Sequence, residues 1–97
     1  MTYEQFLRSA LDANKRIKSP RLQRVLAMAP GRRRDRILDR MEAHTRADLA
    51  HRGIKVGRDW KSAGTGLSAV DWQNILTTIL KILEAVIPII LKFIVVL

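Results

Sequence analysis

The C-terminal third of the chain constrains the fold most, because most of its side chains are apolar and their exposure to water is unfavourable. Residues 84–97 have the sequence EAVIPIILKFIVVL, with one acidic and one basic residue. Ser68 followed by Asp71 is a helix-start pattern, and the apolar residues that follow predict one long helix from residue 69 towards residue 97. A helix that is apolar over most of its circumference is buried against something. What covers this helix is therefore the main structural question of the chain.

The polar residues of this predicted helix lie on a stripe of about 120° when the segment is drawn on a helical wheel. They are Asn74, Thr77, Thr78, Lys81, Glu84, Pro88 and Lys92. We expect the apolar stripes of the N-terminal part to be too narrow to cover the rest of the circumference. The helix is therefore predicted to pack outside its own domain, in an oligomer, in a larger protein assembly or in a membrane. The residues predicted for that contact are Trp72, Ile75, Ile79, Lys81, Leu83, Glu84, Val86, Pro88, Ile90 and Phe93.

Insertion of the helix into a membrane is favoured by its length and opposed by its charges. Residues 75–97 number 23, and as a helix they extend for roughly 34 Å, which exceeds the hydrocarbon thickness of about 30 Å. Glu84 lies near the midpoint of this stretch and opposes insertion by about 3 kcal/mol. Pro88 removes a backbone donor, leaves the carbonyl of Glu84 without its helical partner and favours a bend. One arrangement that explains the polar stripe is a bundle of copies in which Lys81 contacts Glu84 of a neighbour.

Positive charge is concentrated in the first two-thirds of the chain. Residues 1–64 carry sixteen Lys and Arg against seven Asp and Glu, whereas residues 65–97 carry two of each. The formal net charge of +9 therefore belongs entirely to the N-terminal part. Excess positive charge attracts phosphate polyanions, either nucleic acid or the headgroups of anionic lipid.

The densest basic cluster is GRRRDR at residues 31–36, at the start of a predicted helix. Arg outnumbers Lys twelve to six in the chain, and guanidinium groups suit phosphate contacts better than ammonium groups do. Such contacts bind the backbone of a nucleic acid without distinguishing its sequence. The alternative is an ordinary solvated helix face on which Asp pairs with Arg. The residues predicted to bind the polyanion are Lys15, Arg16, Lys18, Arg21, Arg24, Arg32, Arg33, Arg34 and Arg36.

Three helices are predicted before the apolar one. Thr2 and Gln5 form a capping-box pattern, and the helix behind them is predicted over residues 3–17. A Ser-Pro pair opens a second helix, RLQRVLAM, which ends before a Pro-Gly dipeptide. The sequence GRRRDRILDRMEAHTRADLAHRG predicts the third helix, with Gly53 as its C-terminal cap.

The glycines indicate where the helical regions separate. Residues 53–67 hold four of the five glycines and are predicted to form a linker or an irregular connection with Trp60 as its anchor. The chain is thereby divided into a basic helical region (1–52), a glycine-rich linker (53–67) and an apolar amphipathic C-terminal helix (68–97). The predicted fold class is all-α, extended rather than globular, and ordered by a surrounding assembly.

Few residues have the pattern of a catalytic or metal site. The chain has no cysteine, so disulfides and thiolate chemistry are excluded. His44 and His51 lie on one face of the third predicted helix with Asp48 between them, but a metal site would need further ligands. A carboxylate in an apolar helix is also typical of a proton relay, although a structural contact between copies explains Glu84 better. The sequence therefore predicts a non-enzymatic protein without a metal or a cofactor.

Charge and hydropathy together predict a protein with two binding regions. The basic region contacts a polyanion, and the apolar helix contacts a protein or lipid partner. The interpretation that we favour is a minor structural protein of a virion or bacteriophage particle, which bridges the genome or shell to another layer. Its predicted partners are further copies or other structural proteins, nucleic acid or anionic lipid, and a membrane. One alternative is a pore-forming, holin-like or toxin-like membrane protein. Another is a C-terminally anchored regulator that binds nucleic acid.

The N-terminal sequence bears on where the protein is found. The stretch MTYEQFLRSALDANKR has no apolar region of the kind that a secretory signal carries. We therefore expect a virion or membrane-associated location without a secretory signal, with any membrane contact made through the C-terminal segment.

Overall fold

Helices account for the regular secondary structure of the described part of the chain. The computed structural model describes residues 1–94, and within that range it contains four α-helices, one 3₁₀ turn and no strand. The helices are α1 (Tyr3–Ala13), α2 (Pro20–Ala27), α3 (Arg32–His51) and α4 (Ala69–Phe93), and the 3₁₀ turn is Trp60–Ser62. The predicted all-α fold class is confirmed, whereas the part of the last predicted helix at residues 95–97 lies outside the described residues.

The first helix, α1, starts where the sequence predicts and ends earlier. The Thr2 hydroxyl accepts a hydrogen bond from the N–H of Gln5 (3.2 Å), and the Gln5 side chain accepts one from the N–H of Thr2 (2.8 Å), which completes the predicted capping box. At the other end, the side-chain amide of Asn14 donates to the carbonyl of Ala10 (2.8 Å). That carbonyl would accept the backbone N–H of Asn14 in a continued helix, so α1 ends at Ala13 rather than at residue 17.

The third helix, α3, ends at His51, and Gly53 terminates it as predicted. The N–H of Ile54 donates to the carbonyl of Leu49 (2.8 Å), and the N–H of Gly53 donates to the carbonyl of Ala50 (2.9 Å). These two bonds form a Schellman motif, which requires a left-handed residue after the helix. Gly53 has a φ of +78°, a conformation that glycine adopts without steric cost. The chain therefore turns away from α3 into residues 53–67.

The apolar core lies between α4 and the three N-terminal helices. One face of α4 is buried, and it consists of Leu76, Ile79, Leu80, Leu83, Ile87 and Ile90. The other helices contribute Phe6, Leu7 and Ala10 from α1, Leu22, Val25 and Leu26 from α2, and Ile37, Met41 and Leu49 from α3. Each of the three helices contacts α4. Because each is amphipathic, each covers a part of α4 with its own apolar stripe.

The expectation of an extended chain is wrong, because the chain folds into a compact unit. Its radius of gyration is 13.2 Å, close to the roughly 13 Å expected for a globular domain of about 100 residues. The expectation assumed that any one N-terminal stripe is too narrow to cover the apolar helix. In the structure the narrow apolar stripes of α1, α2 and α3 all pack against one face of α4, and together they bury that face.

Residues 53–67 are held against the rest of the chain by Trp60, which is 2% exposed. Its ring centroid lies 5.0 Å from that of Tyr3 and 4.7 Å from that of Phe6. The indole N–H donates to the carboxylate of Glu42 (2.6 Å), and the guanidinium of Arg46 lies 4.7 Å from the centre of the ring. This segment therefore has a packed anchor, and the division of the chain into three ranges stays a prediction.

Candidate polyanion-binding and docking surfaces

The nine basic residues predicted to bind a polyanion do not share one surface, because Arg34 belongs to the core. Arg34 is 9% exposed. Its Nη1 donates to Oε1 of Glu4 (2.9 Å) and its Nη2 donates to the carbonyl of Leu26 (3.2 Å). Arg8 donates to the other oxygen of Glu4 (3.0 Å) and to the same carbonyl (3.2 Å). Two guanidinium groups thus join α1, α2 and α3.

The electrostatics of this cluster show that Arg34 is already paired. Hydrogen bonds from Arg34 and then from Arg8 lower the pKa of the Glu4 carboxyl. The same hydrogen bond to Glu4 raises the pKa of the Arg34 guanidinium. Both groups therefore carry their charges at neutral pH, and Arg34 is not available to a polyanion in this fold.

A basic surface surrounds the start of α2, and we call it the α2 basic patch. Its members are Arg16, Lys18, Arg21 and Arg24, all of which are exposed. Within residues 1–94 no carboxylate forms a salt bridge with Arg16, Lys18 or Arg24. Lys15, beside the patch, lies 3.6 Å from a carboxylate one turn earlier, and both side chains are more than three-quarters exposed, so this contact contributes little. Three of the four members of the patch therefore have no salt-bridged carboxylate in the described part of the chain.

A second basic surface runs along α3, and we call it the α3 basic strip. Its members are Arg33, Arg36 and Arg40, which are exposed and share one helical face because they are three and four positions apart. Arg32 is exposed beside the strip. Sequence reasoning included the first arginines of α3 but missed Arg40. The signal that would have found it is its spacing of seven positions from Arg33, which a helical wheel shows.

Glu84 contacts the start of α2 within its own chain. Its carboxylate oxygens accept hydrogen bonds from the backbone N–H of Arg21 (3.0 Å) and of Leu22 (3.1 Å). Ser19 occupies the N-cap position but makes no capping bond with its side chain. Glu84 therefore supplies the cap and places a negative charge at the positive end of the α2 dipole. Among the described residues no salt bridge joins Glu84 to Lys81.

Pro88 leads to a further bond between α2 and α4. A proline has no N–H, so the carbonyl of Glu84 lacks the donor that position 88 would otherwise supply. The guanidinium of Arg21 donates to that carbonyl (3.3 Å). The helix continues through Pro88 to Phe93, so α2 replaces the hydrogen bond that the proline removes from α4.

The other α4 residues predicted for contact with an oligomer or a membrane divide between the core and the surface. Those buried among the chain's own helices are Ile79, Leu83 and Ile90. Those that are half-buried are Trp72, Ile75, Val86 and Pro88, and those that are exposed are Lys81 and Phe93. The ring of Trp72 packs near that of Phe6, with 6.3 Å between centroids. The two large apolar residues that are exposed in the C-terminal half of α4, Ile89 and Phe93, therefore lie on one flank.

This uncovered flank borders α3, and we call it the α4 apolar strip. Its members are Ile75, Ile82, Val86, Ile89 and Phe93, spaced seven, four, three and four positions apart. Ile89 is 55% exposed and Phe93 is 78% exposed, and the other three are half-buried. Ile82 lines a small cavity together with His44 and Asp48 of α3. The strip therefore borders α3 at Ile82.

The groove between α1 and α2 and the histidines of α3 are candidate sites of chemistry within residues 1–94. An open groove of about 540 Å³ lies between α1 and α2, and its polar lining residues are Arg8, Asp12, Lys15 and Gln23. Among the described residues, no Ser, Thr, Cys or His side chain lines this groove, so it does not pair a hydroxyl or thiol with an imidazole base. Within residues 1–94 no group of three or more His, Cys, Asp or Glu residues is placed to hold a metal ion.

In the described part of the chain, α4 alone is long and apolar enough to cross a membrane, by length and composition only, and the core helix of a soluble protein meets the same criterion. No protein-family model, curated protein or solved structure matches the chain. The function is therefore argued from the two basic surfaces and the apolar strip.

Proposed function

We propose that the protein is a non-enzymatic binding protein whose α2 basic patch contacts the phosphate backbone of nucleic acid. The observation that carries this proposal is the exposure of Arg16, Lys18 and Arg24 without a salt-bridged carboxylate in the described chain. Guanidinium groups present a planar set of donors that matches phosphate oxygens. Positive charge that the protein does not neutralise itself favours a polyanionic partner.

The patch keeps its charge because most carboxylates are engaged elsewhere. Glu42 and Asp48 of α3 form salt bridges with Arg46 and Arg52, each four positions later in the chain. Glu4 is held by the core arginine cluster, and Glu84 by backbone N–H groups of α2. Asp59 pairs with the N-terminal ammonium at 2.7 Å. These contacts leave the α2 basic patch with charge for an external partner to neutralise.

Nucleic acid fits the α2 basic patch better than a lipid surface does. No large apolar side chain is exposed between residues 12 and 24, whereas attachment to lipid combines charge with apolar side chains that enter the bilayer. The same segment contains no aromatic residue on which a base would stack. We therefore propose contacts with phosphates and sugars alone, which makes binding insensitive to base sequence.

Backbone contacts of this kind suit a protein that packs against nucleic acid in a particle. The setting predicted from the sequence, a minor structural protein of a virion or bacteriophage, is part of this proposal. Its support is the small size of the chain, its arginine bias and its lack of cysteine. In that setting the α2 basic patch neutralises genome phosphates, and another surface joins the next layer.

Salt-dependent binding to short DNA duplexes tests the proposal. Fluorescence anisotropy with two duplexes of unrelated sequence is expected to give equal affinities, because the phosphates are the same in both. The logarithm of the affinity falls with the logarithm of the salt concentration, by about 0.9 per phosphate contact. The triple variant Arg16→Gln, Lys18→Gln, Arg24→Gln is expected to reduce this slope by about 2 to 3.

A second triple variant removes the same charge from another part of the surface. Lys55→Gln, Arg58→Gln, Lys61→Gln changes three exposed residues of the 53–67 segment and is expected to keep a slope close to that of the wild type. Equal losses in the two variants would mean that net charge alone controls binding, which contradicts a defined patch. A strong preference for one duplex would instead favour the sequence-selective regulator.

Pore formation, the other alternative, requires the contacts of α4 to break. In the compact fold, Thr77 of the predicted polar stripe donates to the side-chain carbonyl of Asn14 (3.2 Å), and Glu84 caps α2. Both residues are thus turned towards the chain's own helices and away from a pore. The proposal predicts that the protein does not release dye from liposomes, and rapid release would favour the pore-forming alternative.

A further inference from the structure

We propose that the α4 apolar strip and the α3 basic strip together attach the protein to the surface of an anionic lipid bilayer. This surface is separate from the α2 basic patch, so the inference does not rest on binding of nucleic acid. An anionic bilayer offers an apolar interior next to a negatively charged layer of headgroups. The α4 apolar strip matches the apolar interior, and the α3 basic strip matches the negatively charged headgroups.

The apolar strip is exposed enough to reach into a bilayer. Ile89 and Phe93 are 55% and 78% exposed, and they lie one turn apart on α4. The strip continues towards the start of the helix through Val86, Ile82 and Ile75, a length of roughly 27 Å at the rise of an α-helix. Transfer of such side chains from water into hydrocarbon is favourable.

The α3 basic strip lies along the same side of the molecule as the apolar strip. Ile82 shares a small cavity with His44 and Asp48, which places this flank of α4 against α3. Arg40 and Arg33 precede His44 by four and eleven positions, so they follow the same face of α3 towards its start. The two helices therefore present a row of arginines beside a row of apolar side chains, as helices at the headgroup level of a bilayer do.

The apolar strip has cations along both of its edges. On one edge, Ile82 borders His44, which lies one turn after Arg40 on α3. The exposed Lys81 and Lys92 lie on the other edge, about 100° around the helix. Their long side chains allow the charged ends to reach lipid phosphates while the stems stay on apolar surface. Of the two carboxylates of α4, Glu84 is engaged with α2, and Asp71 lies in the first turn, one turn before Ile75 at the end of the strip that is remote from Ile89.

A second copy of the chain is a poorer partner for this surface than a bilayer. A two-fold contact between apolar strips would bring the cationic edges of one copy against the cationic edges of the other, because both edges carry the same sign. Like charges held together in an interface oppose association. An anionic bilayer carries the opposite sign and neutralises both edges at once.

Attachment at the surface preserves the fold, whereas insertion across the bilayer does not. Gln73 and Thr77 both donate hydrogen bonds to the side chain of Asn14, which directly follows α1, and Glu84 caps α2. The buried face of α4 forms the apolar core together with the other three helices. A spanning α4 loses all of these contacts, and an α4 that lies in the plane of the bilayer keeps them.

Flotation of the full-length chain with vesicles tests the proposal. At physiological salt, the protein is expected to float with vesicles of phosphatidylcholine and phosphatidylserine and to stay unbound with phosphatidylcholine alone. The double variant Ile89→Asp, Phe93→Asp is expected to reduce the bound fraction at least about tenfold, since the charges oppose burial. Val70→Asp is the matched control, because Val70 is 70% exposed on the same helix but lies off the strip; this variant is expected to float normally.

The arginines have their own test in the same assay. The double variant Arg33→Gln, Arg40→Gln is expected to bind anionic vesicles at least about fivefold more weakly, because basic residues near an anionic surface each contribute to attachment. Far-UV circular dichroism of every variant checks that the helices are retained. A double arginine variant that floats like the wild type would overturn the role of the α3 basic strip.

Three other outcomes would overturn the proposal. The first is undiminished flotation of the Ile89→Asp, Phe93→Asp variant. The second is a wild-type oligomer that this variant dissociates, together with no flotation, which would assign the strip to contacts between copies. The third is resistance of the bound protein to alkaline carbonate extraction, which would mean that α4 spans the bilayer. The two proposals fail separately, since this variant is expected to keep its affinity for DNA and the α2 triple variant is expected to float.

Discussion

Arg33 and Arg34 are adjacent in the sequence and have different surroundings, because neighbouring positions on a helix point about 100° apart. Arg34 donates to Glu4 and to the carbonyl of Leu26, whereas Arg33 is exposed. Arg34→Met is expected to lower the free energy of unfolding by about 1–3 kcal/mol, through loss of hydrogen bonds to a carboxylate and a carbonyl. Arg33→Met is expected to change it by less than about 0.5 kcal/mol. Urea denaturation followed by circular dichroism compares the two, and a larger loss for Arg33→Met would contradict the core role of Arg34.

The contact between α2 and α4 acts on whole elements, because a side chain of one helix caps the other. Glu84→Gln keeps the size of the side chain but removes the negative charge from the start of α2. We expect it to lower the free energy of unfolding by about 0.5–2 kcal/mol. Lys81→Gln, one turn earlier on the exposed surface of α4, is expected to have little effect. Equal effects of the two substitutions in thermal denaturation would instead support the pairing of Lys81 with Glu84 of a neighbouring copy that the sequence predicts.

Compactness is a property of the whole molecule, and it separates the observed fold from the extended one expected from the sequence. Small-angle X-ray scattering of the monomeric chain is expected to give a radius of gyration near the 13.2 Å of the structure, slightly enlarged by the hydration layer. An unfolded chain of about 100 residues would give about 30 Å. A value well above that of a globular domain at low protein concentration would contradict the packing of α4 against α1, α2 and α3.

At the scale of the whole chain, the sequence predicts the features that depend on neighbouring residues, such as helix ends. It does not predict contacts between residues that are far apart in the chain. The start of α1 and the end of α3 depend on local signals, which are Thr2 with Gln5 and the glycine at position 53. Both helix ends form as predicted. The burial of Arg34 depends on Glu4, thirty positions away, and no local pattern distinguishes it from the arginines beside it. The partner of Glu84 lies more than sixty positions away. For the same reason, the sequence identified α4 as a helix that needs covering without showing that the other helices cover one face of it.

The proline in α4 also affects which partner this helix selects while the chain folds. An α4 that forms by itself is one backbone hydrogen bond short, because the carbonyl of Glu84 has no N–H at position 88 to pair with. Docking of α2 supplies the missing donor through Arg21. A competing helix that offers only apolar side chains would cover that carbonyl without pairing it, at a cost of about 1–3 kcal/mol. Because of Pro88, α4 therefore packs more favourably against α2, which pairs the Glu84 carbonyl, than against a purely apolar surface such as a second α4.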